Sequence, residues 1–176
     1  MKKLNVFLGI MAGLIIVPCA FAAQGVAMIQ GTAEGSTLEG KVTFNELPGS
    51  GISIHAEISG VNPMGKRGFH IHEFGSCADA GKAAGGHYNP QEVEHGLLEH
   101  DGFDHAHAGD LGNIEIGEDG TGSLDVFIPG LALSAGERTI GGRAVVLHEK
   151  EDDFGQPTGN AGGRIGCGTI VITGNE

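Results

Sequence analysis

Apolar and polar residues alternate along most of the chain with a period of two, which is typical of β-strands that bury one face. The first three such segments are VAMIQG (26–31), GKVTFNEL (40–47) and GISIHAEISG (51–60). The pattern returns in GFHIHEFG (68–75), GNIEIGEDGTGSLDVFIPG (112–130), GRAVVLHEK (142–150) and CGTIVIT (167–173). Within the fifth segment, Glu118-Asp119-Gly120 has the composition of a hairpin turn. The pattern therefore predicts about eight short strands.

Two segments, 75–110 and 151–164, interrupt the alternation and show no helical period. The first contains most of the His, Gly and Asp residues, and a long irregular segment in a compact domain is usually functional or disordered. We therefore predict an all-β fold: an eight-stranded, flattened Greek-key β-barrel or sandwich with two long functional loops. The 33 glycines lack the three-residue period of collagen, and 176 residues suit one domain.

Residues 1–22 differ from the rest and have the three-part pattern of a secretory signal peptide. Lys2 and Lys3 precede an apolar run over about 6–17, and Ala20-Phe21-Ala22 forms a small-residue cleavage site. The alternative, a membrane anchor, is less favoured because the run is short for a bilayer span. We expect cleavage after Ala22, which leaves residues 23–176 as the mature domain.

Cleavage changes both the charge and the cysteine count. Loss of Lys2 and Lys3 moves the formal net charge from −12 to −14, with 8 basic against 22 acidic residues. Such a charge argues against nucleic acid and anionic lipid as partners. The two remaining cysteines, Cys77 and Cys167, are an even number in an oxidising compartment. They predict a disulfide, with two unpaired buried thiols as the alternative.

The nine histidines suggest metal chemistry. His70 and His72 share one face of a strand whose other face presents Phe69 and Ile71 to the core, and His148 ends another strand. The first long loop adds His87, His95, His107 and Asp110. These seven residues are too many for one four-coordinate ion, but they suit two ions that share an imidazole. Three His and one Asp match zinc, and an all-imidazole set suits copper.

Five sequence blocks resemble those of the copper,zinc superoxide dismutases and occur in the same order. They are GFHIHEFG, GGHYNP (85–90), HAGDLGN (107–113), VVLHEKEDD (145–153) and GNAGGRIGCG (159–168). The resemblance covers roughly residues 26–172. It implies a sandwich fold and one copper and one zinc ion per subunit.

The resemblance also implies a role for each residue. Copper would be bound by His70, His72, His87 and His148, and zinc by His87, His95, His107 and Asp110, with His87 as the bridge. Asp152 would hydrogen-bond one ligand of each metal (His70 and His95), Arg164 would be the active-site cation, and Cys77 and Cys167 would form the intrasubunit disulfide. His100 and His105 are expected to be exposed loop residues, with spare metal ligands as the alternative.

The implied activity is dismutation of superoxide to dioxygen and hydrogen peroxide by copper redox cycling, with His87 and Arg164 as the catalytic residues. The zinc ion would have a structural role and would tune the basicity of His87. The alternative is a non-catalytic copper- and zinc-binding or copper-delivery domain of the same fold. Because the net charge repels superoxide, local cations such as Arg164 and Lys150 must attract it. We expect an exported protein, in the bacterial periplasm, that does not bind a membrane after signal cleavage and forms a homodimer, with a monomer as the alternative.

Overall fold

The computed structural model describes residues 23–47 and 49–174. The predicted signal peptide therefore lies outside the described residues. Nine β-strands and a few short helical turns make up the described chain. The strands are β1 (Gln24–Gly31), β2 (Glu39–Leu47), β3 (Gly51–Ser59), β4 (Gly65–His72), β5 (Asp110–Ile116), β6 (Gly122–Pro129), β7 (Ala144–His148), β8 (Arg164–Thr169) and β9 (Val171–Thr173).

Eight of these strands form one antiparallel sheet that curls into a nearly closed barrel, which confirms the predicted fold class. The order across the sheet is β5-β4-β7-β8-β1-β2-β3-β6, and β9 adds to β1. Apolar positions with period two fill the interior, and Phe44, Ile54, Phe69 and Ile71 are completely buried. The alternation read from the sequence therefore places the core correctly.

The order also explains why β4 can hold functional side chains on its outer face. β4 lies between β5 and β7, and residues 67–72 are buried on both faces. Phe69 and Ile71 belong to the barrel core, whereas His70 and His72 lie under the long connections that cover the outside of the sheet. A strand with neighbours on both sides is a rigid support for such a pair.

A second, smaller apolar cluster lies outside the barrel and contains the disulfide. It consists of Ala84, Ala144, Val146 and Cys167, with Cys77 packed against it. Cys77 and Cys167 are bonded, and their Cα atoms are 5.7 Å apart. The predicted disulfide is confirmed, and it ties the start of the first long loop to β8.

Three details of the sequence-based prediction need correction. The turn at residues 117–121 is present, but β5 and β6 are at opposite ends of the strand order rather than partners in a hairpin. The last predicted strand is divided at Ile170, and its first part begins at Arg164, which was assigned to the loop. The first long loop contains a 3₁₀ turn at Lys82–Ala84 and a single-turn helix, α1 (Leu98–Asp101).

These helical turns are too short to produce a 3.6-residue pattern, so periodicity does not reveal them. Among the described residues, no helix is long and apolar enough to cross a membrane.

Candidate metal centre

The first cluster joins the outer face of β4 to the end of β7 and to the first long loop. His70 and His72 pair across the sheet with Val146 and Ala144, so the end of β7 places His148 beside them. His72 Nε2 and His148 Nε2 are 3.3 Å apart. An isolated β-bridge between His72 and His87 brings in the fourth imidazole. All four are buried, and one nitrogen from each lies within 4.8 Å of the others.

The second cluster surrounds Asp110, the completely buried first residue of β5. Its Oδ1 lies 2.8 Å from His87 Nδ1 and 3.2 Å from His107 Nδ1, and its Oδ2 lies 2.8 Å from His95 Nδ1. The backbone N–H groups of His107 and Gly96 also donate hydrogen bonds to Oδ2. Three imidazole nitrogens therefore converge on one carboxylate. His87 belongs to both clusters: Nδ1 serves the second, and Nε2 is left for the first.

Asp152 connects the two clusters from the second long loop. Its Oδ2 lies 2.8 Å from His70 Nε2, and its Oδ1 lies 2.9 Å from His95 Nε2. The carboxylate thus holds one ring of each cluster and leaves Nδ1 of each ring facing inward. Fixing an imidazole through its far nitrogen is how proteins set the tautomer of metal-binding histidines.

The free nitrogen of His70 tests whether this donor set suits a metal. His70 Nδ1 is buried and has no hydrogen-bond partner among the described residues. A buried nitrogen without a partner is costly, and a metal ion would satisfy it. The first set of four imidazoles suits copper, and the second set of three imidazoles and one carboxylate suits tetrahedral zinc. The residues present therefore fit both ions.

Burial keeps three histidines of the first cluster, His72, His87 and His148, uncharged. Burial lowers the pKa of His72 to about 2, with the charges of His87 and Arg164 adding to the effect. Burial likewise lowers the pKa of His148 to about 3. Burial also lowers the pKa of His87 to about 4, although the hydrogen bond to Asp110 opposes it. At neutral pH these rings have unprotonated nitrogens, as metal ligation requires.

His95 behaves in the opposite way because it lies between two carboxylates. Burial alone would lower its pKa, but hydrogen bonds to Asp110 and Asp152 outweigh this effect and raise the pKa to about 9. Burial would raise the pKa of each carboxyl group, but hydrogen bonds from the histidines hold the pKa of both Asp110 and Asp152 well below the usual range. Both carboxyl groups are therefore ionised at neutral pH.

Arg164 begins β8 directly across from His148. Its Nη1 and Nη2 each donate a 2.5 Å hydrogen bond, to the carbonyl oxygens of Gly81 and Gly85. The Gly85 oxygen is also 3.0 Å from His72 Nδ1. The guanidinium is therefore fixed beside the first cluster by the segment that follows Cys77.

Asn113 and Gln156 are two functional candidates that the sequence analysis missed. The amide of Asn113 exchanges two hydrogen bonds with the backbone of Asp152, at 2.9 Å and 2.8 Å. The amide of Gln156 likewise exchanges two hydrogen bonds with the backbone of His95, at 2.9 Å and 3.0 Å. Asn113 lies in the HAGDLGN block, so its position offered a signal, whereas Gln156 is an exposed polar residue in an irregular segment and offered none.

The structure thus brings the predicted copper ligands together in the first cluster and the predicted zinc ligands together in the second, and Asp152 lies between the two clusters. Their role as ligands stays a prediction. His100 and His105 lie outside both clusters and are exposed. His100 Nδ1 lies 2.8 Å from Asp101 Oδ1. His105 lines a surface cavity with Glu92, Glu94 and Asp104.

Comparison with known proteins gives concordant results. The family model described as copper/zinc superoxide dismutase (SODC) matches residues 38–170. Among solved structures, the crystal structure of the clock protein EA4 is similar, with a TM-score of 0.75 and 34% sequence identity. That similarity covers 93% of this chain and 100% of the other. The family match includes both histidine clusters, Asp152, Arg164 and the disulfide.

Proposed function

Because the chain belongs to the copper/zinc superoxide dismutase family, we propose that it converts superoxide to dioxygen and hydrogen peroxide. The observation that carries the proposal is the junction of the two clusters at His87, with Arg164 fixed beside the first of them. A protein that only stores metal has no need of a guanidinium fixed beside its metal site.

Residues of the first cluster would bind copper, and residues of the second would bind zinc. The copper set is His70, His72, His87 and His148, and the zinc set is His87, His95, His107 and Asp110. Bound copper would supply the one-electron oxidation of one superoxide and the one-electron reduction of the next, while zinc would hold and polarise His87.

Arg164 binds and orients the substrate in this proposal. A fixed guanidinium at the rim of the first cluster offers an anion both charge and hydrogen-bond donors. Its two bonds to backbone carbonyls keep it from swinging into solvent, so little reorganisation is needed when superoxide arrives. Lys150 and Lys82 are exposed cations in segments adjoining the cluster and would add to the attractive field.

His87 handles the proton that peroxide formation requires. Its Nδ1 is held against Asp110, so only Nε2 faces the substrate side. Burial lowers the pKa of His87 despite the hydrogen bond to Asp110, so Nε2 holds a proton weakly and gives it up readily to a more basic acceptor. Asp152 holds the neighbouring rings still during this transfer.

The test is a competition assay for superoxide with xanthine oxidase as the source. Protein loaded with copper and zinc should consume superoxide, and chelated protein should not. Arg164→Ile should lower kcat/KM by at least about ten-fold and weaken its salt dependence, because a fixed cation beside the site is lost. Lys41→Ile, on the exposed face of β2, removes the same charge and should leave kcat/KM nearly unchanged.

Two results would count against the proposal. If the loaded protein binds both ions but consumes no superoxide, the non-catalytic metal-binding alternative is correct. If Arg164→Ile retains full activity at low ionic strength, the guanidinium does not guide the substrate. Metal analysis should give about one copper and one zinc per chain, and a different ratio would contradict the assignment of the clusters.

We further propose that the chain is exported to the periplasm and acts there as a homodimer. The signal-like residues 1–22 and the disulfide support export, because such bonds persist in oxidising compartments. Sequencing the N-terminus of the periplasmic protein should give Ala23 first. Equilibrium sedimentation should give twice the chain mass, and a single chain mass would favour the monomer.

A further inference from the structure

We propose that Gln156 is a positioning residue for His95 and holds the second long loop and the second cluster together as one unit. His95 N–H donates to Gln156 Oε1 at 3.0 Å, and Gln156 Nε2 donates to the His95 carbonyl oxygen at 2.9 Å. The two residues are 61 positions apart in the chain. The inference rests on the proposed function only in taking His95 as a metal ligand.

A side-chain amide suits this task because it carries one donor and one acceptor side by side. It can therefore pair with the N–H and C=O of a single residue, as a neighbouring strand would. One hydrogen bond would let the backbone of His95 pivot about it. Two bonds fix both its position and its rotation, and the rotation determines where the imidazole points.

The ring of His95 is fixed independently of its backbone. Nδ1 lies 2.8 Å from Asp110 Oδ2, and Nε2 lies 2.9 Å from Asp152 Oδ1. Four atoms of His95 are therefore held by three side chains. Two of those side chains, Asp152 and Gln156, come from the same loop, so this loop holds His95 at both its ring and its backbone.

The rest of the loop wraps closely around the same histidine. The Phe154 ring stacks near that of His95 at a tilt of 21°, with centroids 6.3 Å apart. At Gly159, an added Cβ would lie 2.8 Å from His95 Nε2 and 1.7 Å from Asp152 Oδ1. Gln156 itself is exposed, so burial does not explain its place in the loop, whereas its two hydrogen bonds do.

This arrangement couples the order of residues 151–160 to the second cluster. An ion that immobilises His95 also immobilises the amide partner, and loss of the amide lets His95 move away from the other ligands. Residues that orient metal ligands typically change metal affinity 10- to 100-fold when replaced. Because Gln156 acts through the backbone, its loss should weaken ion binding without removing a ligand.

The test uses the full-length, disulfide-bonded, metal-free protein and Co²⁺ as the probe for the second cluster. Gln156→Met keeps the length of the side chain and removes both hydrogen bonds. Thr158→Ala is the matched control, since Thr158 is exposed in the same loop. Gln156→Glu keeps an acceptor for the His95 N–H but cannot donate to the His95 carbonyl. Two quantities are measured: the exchange rate of the His95 amide hydrogen and the affinity for Co²⁺ from its visible absorption.

We expect Gln156→Met to speed His95 amide exchange several-fold, as befits the loss of one hydrogen bond, and to weaken Co²⁺ binding about ten-fold. Gln156→Glu should lie between Gln156→Met and the wild type in exchange rate, and Thr158→Ala should match the wild type in both measurements. Unchanged exchange in Gln156→Met, or an equal loss of affinity in Thr158→Ala, would overturn the proposal. If the wild type binds no Co²⁺ while exchange still responds to Gln156→Met, positioning stands and His95 is not a ligand.

Discussion

Raising the pH from 6.5 to 9 should destabilise the metal-free protein, and His95 is the reason. Its pKa is raised from 6.5 to about 9 because the ring donates to two buried carboxylates, Asp110 and Asp152. A raised pKa in the folded state stabilises the fold fully below pH 6.5, and this stabilisation is lost as the pH rises through 9. At 1.36 kcal/mol per pKa unit, the loss is about 3 kcal/mol.

His72, His87 and His148 oppose this effect only in part, because they act mainly at lower pH. The pKa of His72, His87 and His148 is lowered to between about 2 and 4, so these residues destabilise the fold as the pH falls through 6.5. Between pH 6.5 and 9 the three together add only about 1 kcal/mol of stability. Maximum stability of the metal-free protein is therefore expected near pH 7. It should decline on both sides for separate reasons.

The assay is urea unfolding of the chelated, disulfide-bonded protein at several pH values between 6.5 and 9.5. His95→Gln should be less stable at pH 6.5, and its unfolding free energy should rise by about 1 kcal/mol over this range instead of falling. A wild-type stability that stays constant or rises between pH 6.5 and 9 would refute the reasoning. So would an equal decline in His95→Gln, because the titrating group would then lie elsewhere.

The same titration predicts how tightly the second cluster binds an ion. An ion at His95 Nδ1 must displace a proton there, so its affinity should rise with pH until about 9. Competition with a single proton of that pKa gives roughly a 50-fold increase between pH 7 and 9. Calorimetry in buffers of different ionisation enthalpy should detect the released proton at pH 7. No release would contradict the protonation of His95.

Three further predictions concern stability. Cys167→Ser should lower the free energy of unfolding by about 4–5 kcal/mol, because the disulfide spans a sequence separation of 90. If urea unfolding shows a smaller loss for Cys167→Ser than for Asn113→Ala, this prediction is wrong. Asn113→Ala removes both amide bonds to the Asp152 backbone and should cost about 1–3 kcal/mol in the same assay. Gly159→Ala should lower both Tm and Co²⁺ affinity. The added Cβ would displace the Asp152 carboxylate, and the φ of 70° at this position disfavours alanine. A variant with the wild-type Tm would contradict this, because the loop would then relax without cost.

The barrel was predictable because its signal is local. Alternation with period two marks which residues face inward, and Phe69 and Ile71 are completely buried as expected. Local alternation does not reveal which strands are neighbours, because pairing depends on contacts between residues far apart in sequence. The turn at 117–121 is the example: its residues suggest a hairpin, yet β5 pairs with β4 and β6 pairs with β3.

The candidate ligands could be identified from sequence because histidines and an aspartate in a fixed order are a rare combination. The residues that hold them are harder to find. Gln156 is proposed to act through the backbone atoms of His95, which lies 61 positions away in the chain. Nothing in the sequence around an exposed loop glutamine indicates that role. Only the folded geometry shows that its amide meets both polar groups of His95.

The position of the disulfide in the chain has a mechanical consequence. Cys77 and Cys167 close a covalent loop that contains β5, β6 and β7, whereas β1 to β4 lie before it. Under a pulling force applied at the two ends, only chain outside this loop can be drawn out. Residues 23–77 would extend by roughly 180–200 Å at most, at about 3.3–3.6 Å per residue.

Such a pull would separate the two clusters in a definite order. His70 and His72 lie outside the covalent loop and would leave with β4, so the first cluster would lose half of its ligand set. The four residues of the second cluster, at positions 87–110, all lie inside the loop and would stay tethered to one another. A protein stretched from its ends should therefore release any ion bound at the first cluster before one bound at the second.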